Sequence, residues 1–142
     1  MPTYLTCTTP TSIETQMRTQ LSLIALSALL SLASFAARAE LVEIRWNESG
    51  RFEHKASIAP AQFAEVCGKL SKGQTIAWSF RAEAPTNFNI HYHEGQKVTY
   101  PAKIDGAGAA EGQLLAATEQ DYCWMWSNKS DRALTLELIL QR

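Results

Sequence analysis

From Leu41 onward, apolar and polar residues alternate with period two. LVEIRW (41–46), TIAWSF (75–80), FNIHYH (88–93), KVTYPA (97–102), YCWMWS (122–127) and LTLELIL (134–140) carry the signature of half-buried strands. RFEHKASI (51–58) fits as a further strand. In the last segment Leu134, Leu136, Leu138 and Leu140 share one face, Thr135 and Glu137 share the other, and Ile139 interrupts the polar side. Gly50, Gly73, Gly95, Gly106 and Gly108 mark turns. PAQFAEVCGKL (60–70) is the one segment of this region with a helical leaning, the alternative being a loop that carries Cys67. DGAGAAEG (105–112) reads as a flexible surface loop. Strands at this spacing, with no helices between them, predict an antiparallel β-sandwich of seven or eight strands, jelly-roll-like, over residues 40–142. Trp46, Trp78, Trp124 and Trp126 are a heavy aromatic supply for one domain of that size, and most are expected between the sheets.

Upstream of residue 40 the pattern differs. Residues 1–16 are polar and Thr-rich without a hydrophobic period, and read as a misassigned start or an unstructured extension. Residues 17–39 read as a signal peptide, with Arg18 as the positive n-region, Leu21 to Leu32 as the apolar h-region and Ala37-Arg38-Ala39 as the cleavage signal. Cleavage is expected after Ala39, and an uncleaved N-terminal anchor is the alternative. No Cys follows the h-region at the cleavage point, so a lipoprotein is not expected. No second apolar run reaches membrane-spanning length, so no transmembrane helix is expected in the mature chain. The predicted location is the periplasm or the cell exterior.

Charge narrows the partners. Without Arg18, Arg38 and Glu14, the full chain's 13 basic and 14 acidic residues fall to a balance of −2. No basic stripe is present, so nucleic acid is not an expected partner. Of three cysteines, Cys7 precedes the leader; Cys67 and Cys123 remain. Two cysteines in an exported domain most simply form one disulfide. Its loop of about 56 residues would stabilise by on the order of 4 kcal/mol. The alternative keeps Cys123 as a free thiolate ligand.

The candidate chemistry lies in NFNIHYHEGQKV (87–98). Alternation sends Phe88, Ile90 and Tyr92 to the core face, and Asn89, His91 and His93 to the other. Two imidazoles at i and i+2 can reach one copper or zinc ion, which still needs further ligands. His54 is remote, Glu94 alternates to the opposite side, and Cys123 and Met125 share one face of their strand. No His follows Cys123 as a blue-copper site requires, and Lys97 and Val98 stand where a cupin-like pattern needs an acid. No G-x-S-x-G, H-E-x-x-H or glycine-rich phosphate loop occurs, so an enzyme is not expected. NES (47–49) and NKS (128–130) match glycosylation sequons, but read as turn chemistry in a chain with a bacterial-style leader.

The order of Cys67, the Gly73 turn, a strand, the strand–Gly95–strand unit, YCWMWSN and a final alternating strand resembles the GOLD (Golgi dynamics) β-sandwich of the eukaryotic cargo-receptor family. The resemblance spans about residues 64–140. Cys67 and Cys123 match the family's disulfide pair, Tyr122 and Asn128 lie near its aromatic and Asn, and Gly73 and Gly95 match turn glycines. The family continues into a coiled coil, a membrane helix and a sorting tail, whereas Arg142 here follows the last strand directly, so the resemblance implies a fold and a binding theme rather than trafficking. The expectation is an exported, non-catalytic binding module without a cofactor. It would take a protein, peptide or lipid on the face of Asn89, His91, His93 and Glu94, bordered by Tyr92, Trp124 and Trp126. A copper- or zinc-binding protein using His91 and His93 is the alternative.

Overall fold

The structure, a computed structural model, describes residues 39–142. The extension expected at 1–16 and the leader expected at 17–39, all but Ala39, lie outside the described residues. Seven strands follow in order: β1 Glu40–Glu43, β2 Arg51–Ile58, β3 Phe63–Leu70, β4 Thr75–Glu94, β5 Lys97–Leu115, β6 Gln120–Ser127 and β7 Leu134–Gln141. They pair in the order β1-β3-β6-β4-β7-β2, with β5 on β4. All pairs are antiparallel except β1 with β3, which is parallel.

β4 determines the architecture. Its first half, Ala77 to Ala82, pairs with β7. Its second half, Asn87 to Tyr92, pairs with β6. β5 accompanies it along both halves. One layer is therefore β1-β3-β6-β4-β5, and the other is β2-β7-β4-β5. The strand changes layer at a register shift, where Arg81 pairs with Ala109 and Thr86 with Ala107. Ala82 to Pro85 occupy this bulge, which tolerates a proline because the ladder is interrupted there. The buried Thr86 donates its hydroxyl to Ser127 O at 2.8 Å, and Gly106 N–H, at φ +70°, donates to Asn87 Oδ1 at 3.1 Å.

The core fills the space between the layers. Phe88, Ile90 and Tyr92 are buried as alternation predicts, as are Leu134, Leu136, Leu138 and Leu140. Phe88 touches Trp78 and Phe80, each at 4.9 Å between ring centroids, and Trp126 at 5.3 Å. This cluster joins the two halves of β4. Trp78, Trp124 and Trp126 are all buried, while Trp46 is half-buried beneath the Arg142 guanidinium, 5.4 Å from its ring.

Three expectations are corrected. Residues 63–70 form a strand, neither the helical turn nor the loop expected there. A turn with Ala61 at φ 58° starts it, and pairing with β1 and β6 overrides the local leaning. Residues 105–112 lie within β5, not in a loop. Their small side chains let β5 pass close to large neighbours: a Cβ on Gly112 would stand 2.7 Å from Trp78 Cζ2. The segments 75–80 and 88–93 are one strand rather than two.

Both sequons form side-chain-capped turns. Asn47 Oδ1 accepts from Ser49 N–H and Oγ–H, and Asn128 Oδ1 accepts from Ser130 N–H and Oγ–H. The buried Asn128 amide also donates to Ile58 O and Arg132 O. At the start of β7, Thr135 N–H donates to Glu83 Oε2 at 2.9 Å, which holds the Glu83 carboxyl below its ordinary range. Because the folded value lies below the unfolded one, this contact stabilises above the ordinary carboxylate range. The contribution is lost as pH falls through the folded value.

Cys67 and Cys123 stand directly opposite on β3 and β6 and form a disulfide. Replacing both by Ser is expected to cost about 3–4 kcal/mol in chemical denaturation, given the 56-residue separation. Gly112→Ala should lower stability by about 1–3 kcal/mol through overlap with Trp78. Gly108→Ala, with nothing nearer than Ala82 O at 3.9 Å, should change it by less than about 0.5 kcal/mol. Equal midpoints for the two glycine variants would contradict the close β5–Trp78 packing.

Candidate binding face around His91

The outer surface of the β6 layer is a lattice of cross-strand neighbours. One row runs Leu41, Glu65, Met125, Asn89, Lys103, and the next runs Glu43, Cys67, Cys123, His91. His91 therefore sits beside the disulfide, with Glu65 on the diagonal. Its Nε2 lies 3.0 Å from Glu65 Oε1, and its Nδ1 lies 2.9 Å from Asn89 Oδ1. Both ring nitrogens face oxygen acceptors. The geometry thus ties His91 to both Glu65 and Asn89.

His91 is only 6% exposed. The His93 ring stands edge-on to it at 5.2 Å, and the Tyr100 ring lies 5.9 Å away. His93 is exposed. So the two histidines share a face, as alternation predicts, but not an environment: one is locked in a network and the other is free to meet a partner. Glu94 is exposed at the hairpin tip, paired with Lys97 across Gly95 and Gln96, with Gly95 at φ +62°.

The expected aromatic border is corrected. Trp124 and Trp126 have no exposed surface, and Tyr92 is also buried, because all three alternate to the core side of their strands. The exposed large side chains on or beside the face are Leu41 at 70%, Phe63 at 38% and Tyr100 at 54%. Leu41 and Phe63 flank Glu65, and Tyr100 flanks His91. Glu65 and Phe63 escape a sequence reading that treats 60–70 as helical, since the faces of β3 then cannot be assigned. At the rim, Lys69 Nζ meets Glu119 Oε1 at 2.9 Å, and this hydrogen bond raises the Lys69 pKa.

The donor set bears on the metal alternative. Among the described residues, Glu65, His91 and Cys123 bring ligand atoms within 4.8 Å of one another, and His93 is not in that group. Cys123 Sγ is bonded to Cys67, which corrects the free-thiolate alternative. The oxidised protein then offers one imidazole and one carboxylate here, already bonded to each other. That set falls short of the three or four ligands zinc takes. Surface hollows of about 460, 440 and 410 Å³ lie on the other layer and are lined by residues such as Arg51, His54, Ser79 and Glu111, not by His91 or His93.

No protein-family model matches the chain, and no curated protein matches it. Solved structures do. The fold is similar to PliG of Aeromonas hydrophila, a periplasmic lysozyme inhibitor of g-type lysozyme, with TM-score 0.59 and 15% identity over 73% of this chain and 96% of that one. It is similar to the pre-peptidase C-terminal domain of a Bacillus anthracis collagenase, with TM-score 0.57 and 16% identity over 73% and 97%. It is also similar to PliG of Salmonella Typhimurium, with TM-score 0.54 and 12% identity over 73% and 98%. At these identities the likeness shows the fold, a β-sandwich.

Coupling across the network is measurable. A double-mutant cycle on Glu65→Ala and His91→Ala should give an interaction energy of about 1–3 kcal/mol, since a buried charged hydrogen bond is broken by either change. His93→Ala should alter stability by less than about 0.5 kcal/mol. Additive effects of the first two substitutions would contradict a paired His91.

Proposed function

We propose that the chain is an exported, non-catalytic binding module that holds a protein partner on the face around His91. One observation carries this reading: a fixed polar network, Glu65–His91–Asn89, is flanked by the exposed Leu41, Phe63 and Tyr100. Interfaces combine aromatic and aliphatic anchors with pre-paired polar groups in this manner. The polar groups are already ordered, so docking would cost little further side-chain entropy. Of the partners expected from the sequence, a protein suits a flat face better than a lipid, which would need a contiguous apolar surface or cavity.

The fold neighbours support the same reading at a general level. Two of them are described as periplasmic inhibitors of g-type lysozyme, that is, sandwiches that bind a protein. Export to the periplasm or beyond follows from the leader expected at residues 17–39 and agrees with that setting. The GOLD-like order of Cys67, Gly73, Gly95 and Cys123 belongs to this proposal as a likeness in framework.

The test is retention of envelope proteins on the immobilised chain. Wild type and Lys55→Asp, changed on the other layer, should retain the same specific protein. A Phe63→Asp/Tyr100→Asp variant of unchanged thermal stability should lose it by tenfold or more, about the effect of removing one interface anchor. Retention unaffected by the double change would overturn the assignment of the face. Purified g-type lysozyme assayed against the same variants shows whether the partner is of the kind inhibited by the Aeromonas and Salmonella proteins.

A further inference from the structure

We propose that the dithiol form of the chain holds a zinc ion on Glu65, His91 and Cys123, with Cys67 in the fourth position. The site lies within the candidate face, but the inference does not depend on a protein partner. Glu65, His91 and Cys123 bring a carboxylate oxygen, an imidazole nitrogen and a sulfur within 4.8 Å of one another. They stand on three strands, β3, β4 and β6, whose pairing fixes their backbone positions. Cys67, Cys123 and His91 are successive cross-strand partners in one row, and Glu65 lies two residues before Cys67 on the same face of β3.

In the oxidised chain Cys123 Sγ is bonded to Cys67, and an imidazole and a carboxylate alone do not make a zinc site. Reduction changes the donor set in one step. A dithiol reductant passes two electrons and two protons to the bridge. The Cys67–Cys123 bond breaks, both sulfurs become thiols, and the reductant closes its own disulfide. Zinc then displaces the thiol protons and takes the thiolates. Donors rise from two to four, the number zinc takes in closed sites. The Cα atoms of Cys67 and Cys123 are 4.1 Å apart, so both sulfurs stay beside the ion. Cys67 is half-buried and faces outward, which gives a reductant access to the bond.

The imidazole is already oriented for this role. With zinc on Nε2, which faces Glu65 Oε1 at 3.0 Å, Nδ1–H donates to Asn89 Oδ1 at 2.9 Å. Zinc-bound histidines hold their other N–H on an oxygen in this way. The donors also select the metal. Calcium and magnesium take oxygen ligands, and copper(I) favours soft sulfur. A set of carboxylate, imidazole and thiolate suits zinc. His93 takes no part: it is outside the group, with its ring edge-on to His91 at 5.2 Å.

The full-length chain, expressed with its own N-terminal segment and purified after export, is titrated with zinc and with cobalt(II). The disulfide form is compared with the chain reduced by a phosphine, which leaves as the phosphine oxide with oxygen from water. The reduced chain should bind one ion about 100-fold or more tighter than the disulfide form. Its cobalt complex should show sulfur-to-metal charge-transfer absorption. Loss of the disulfide also loosens the fold, so Cys67→Ser is compared with Cys67→Ser/Cys123→Ser. Both lack the bridge, and they differ only in the Cys123 thiol. Zinc should raise the thermal midpoint of the first and not of the second. If the first unfolds without metal, zinc should restore its near-ultraviolet tryptophan signal. Adding His91→Ala or Glu65→Gln to Cys67→Ser should weaken zinc about tenfold or more, whereas adding His93→Ala should not. Equal zinc affinity in the disulfide and reduced forms, or no effect of zinc on Cys67→Ser, overturns the proposal. Binding indifferent to His91→Ala and Glu65→Gln marks an adventitious thiol contact only, and overturns it too. So does a reduced chain that takes copper(I) and leaves zinc.

Discussion

The constraint on which the rest depends is that β4 belongs to both layers. Its N-terminal half is bonded to β7 and its C-terminal half to β6, so neither layer is complete without it. The cluster of Trp78, Phe80, Phe88 and Trp126 forms across that bend and fixes the angle at which the layers face each other. Ring packing rather than hydrogen bonding holds it. The indole N–H groups of Trp78, Trp124 and Trp126 have no acceptor among the described residues. Each such group costs about 1–3 kcal/mol. The area buried by the rings offsets this. β5 follows β4 through the bend by using glycine and alanine where the large rings press outward.

The candidate face inherits its rigidity from that frame. His91 is held between the disulfide on one side and Tyr100 on the other, on a strand whose opposite face is the core. A histidine in this setting is a structural group that shapes the surface, while His93, two residues on, keeps the freedom of an exposed group. The network thus forms a fixed rather than a flexible arrangement of polar groups. Within it, Cys123 is held in the disulfide and the Glu65 carboxylate is bonded to the imidazole.

Much of the fold was legible because alternation has one physical cause, a sheet with one wet and one dry face. Phe88/Ile90/Tyr92 and the four leucines of β7 sort correctly on that ground alone. The turns at Asn47 and Asn128 were legible because an Asn followed two residues later by a Ser can close on itself. What was not legible depends on distant partners. Residues 63–70 and 105–112 lack strong local preference, and neighbouring strands decide them. Parity placed His91 and His93 on one face, but burial of His91 requires Glu65, Asn89 and Tyr100 to converge from three strands. Trp124 and Trp126 illustrate the converse: proximity in sequence to a candidate face says nothing until parity is applied, and parity sends them inward.

The central claim is that the layer bearing His91, rather than the hollowed surface of the other layer, meets a protein partner. Site-specific photo-cross-linking in the cell envelope tests it most directly, with a photoreactive residue placed in turn at Phe63, His93, Tyr100, Ser57 and Gln113. The account predicts a shared adduct of one mass from the first three positions and none from the last two. Adducts confined to Ser57 and Gln113, or none from the His91 layer while the protein is folded and exported, would contradict it.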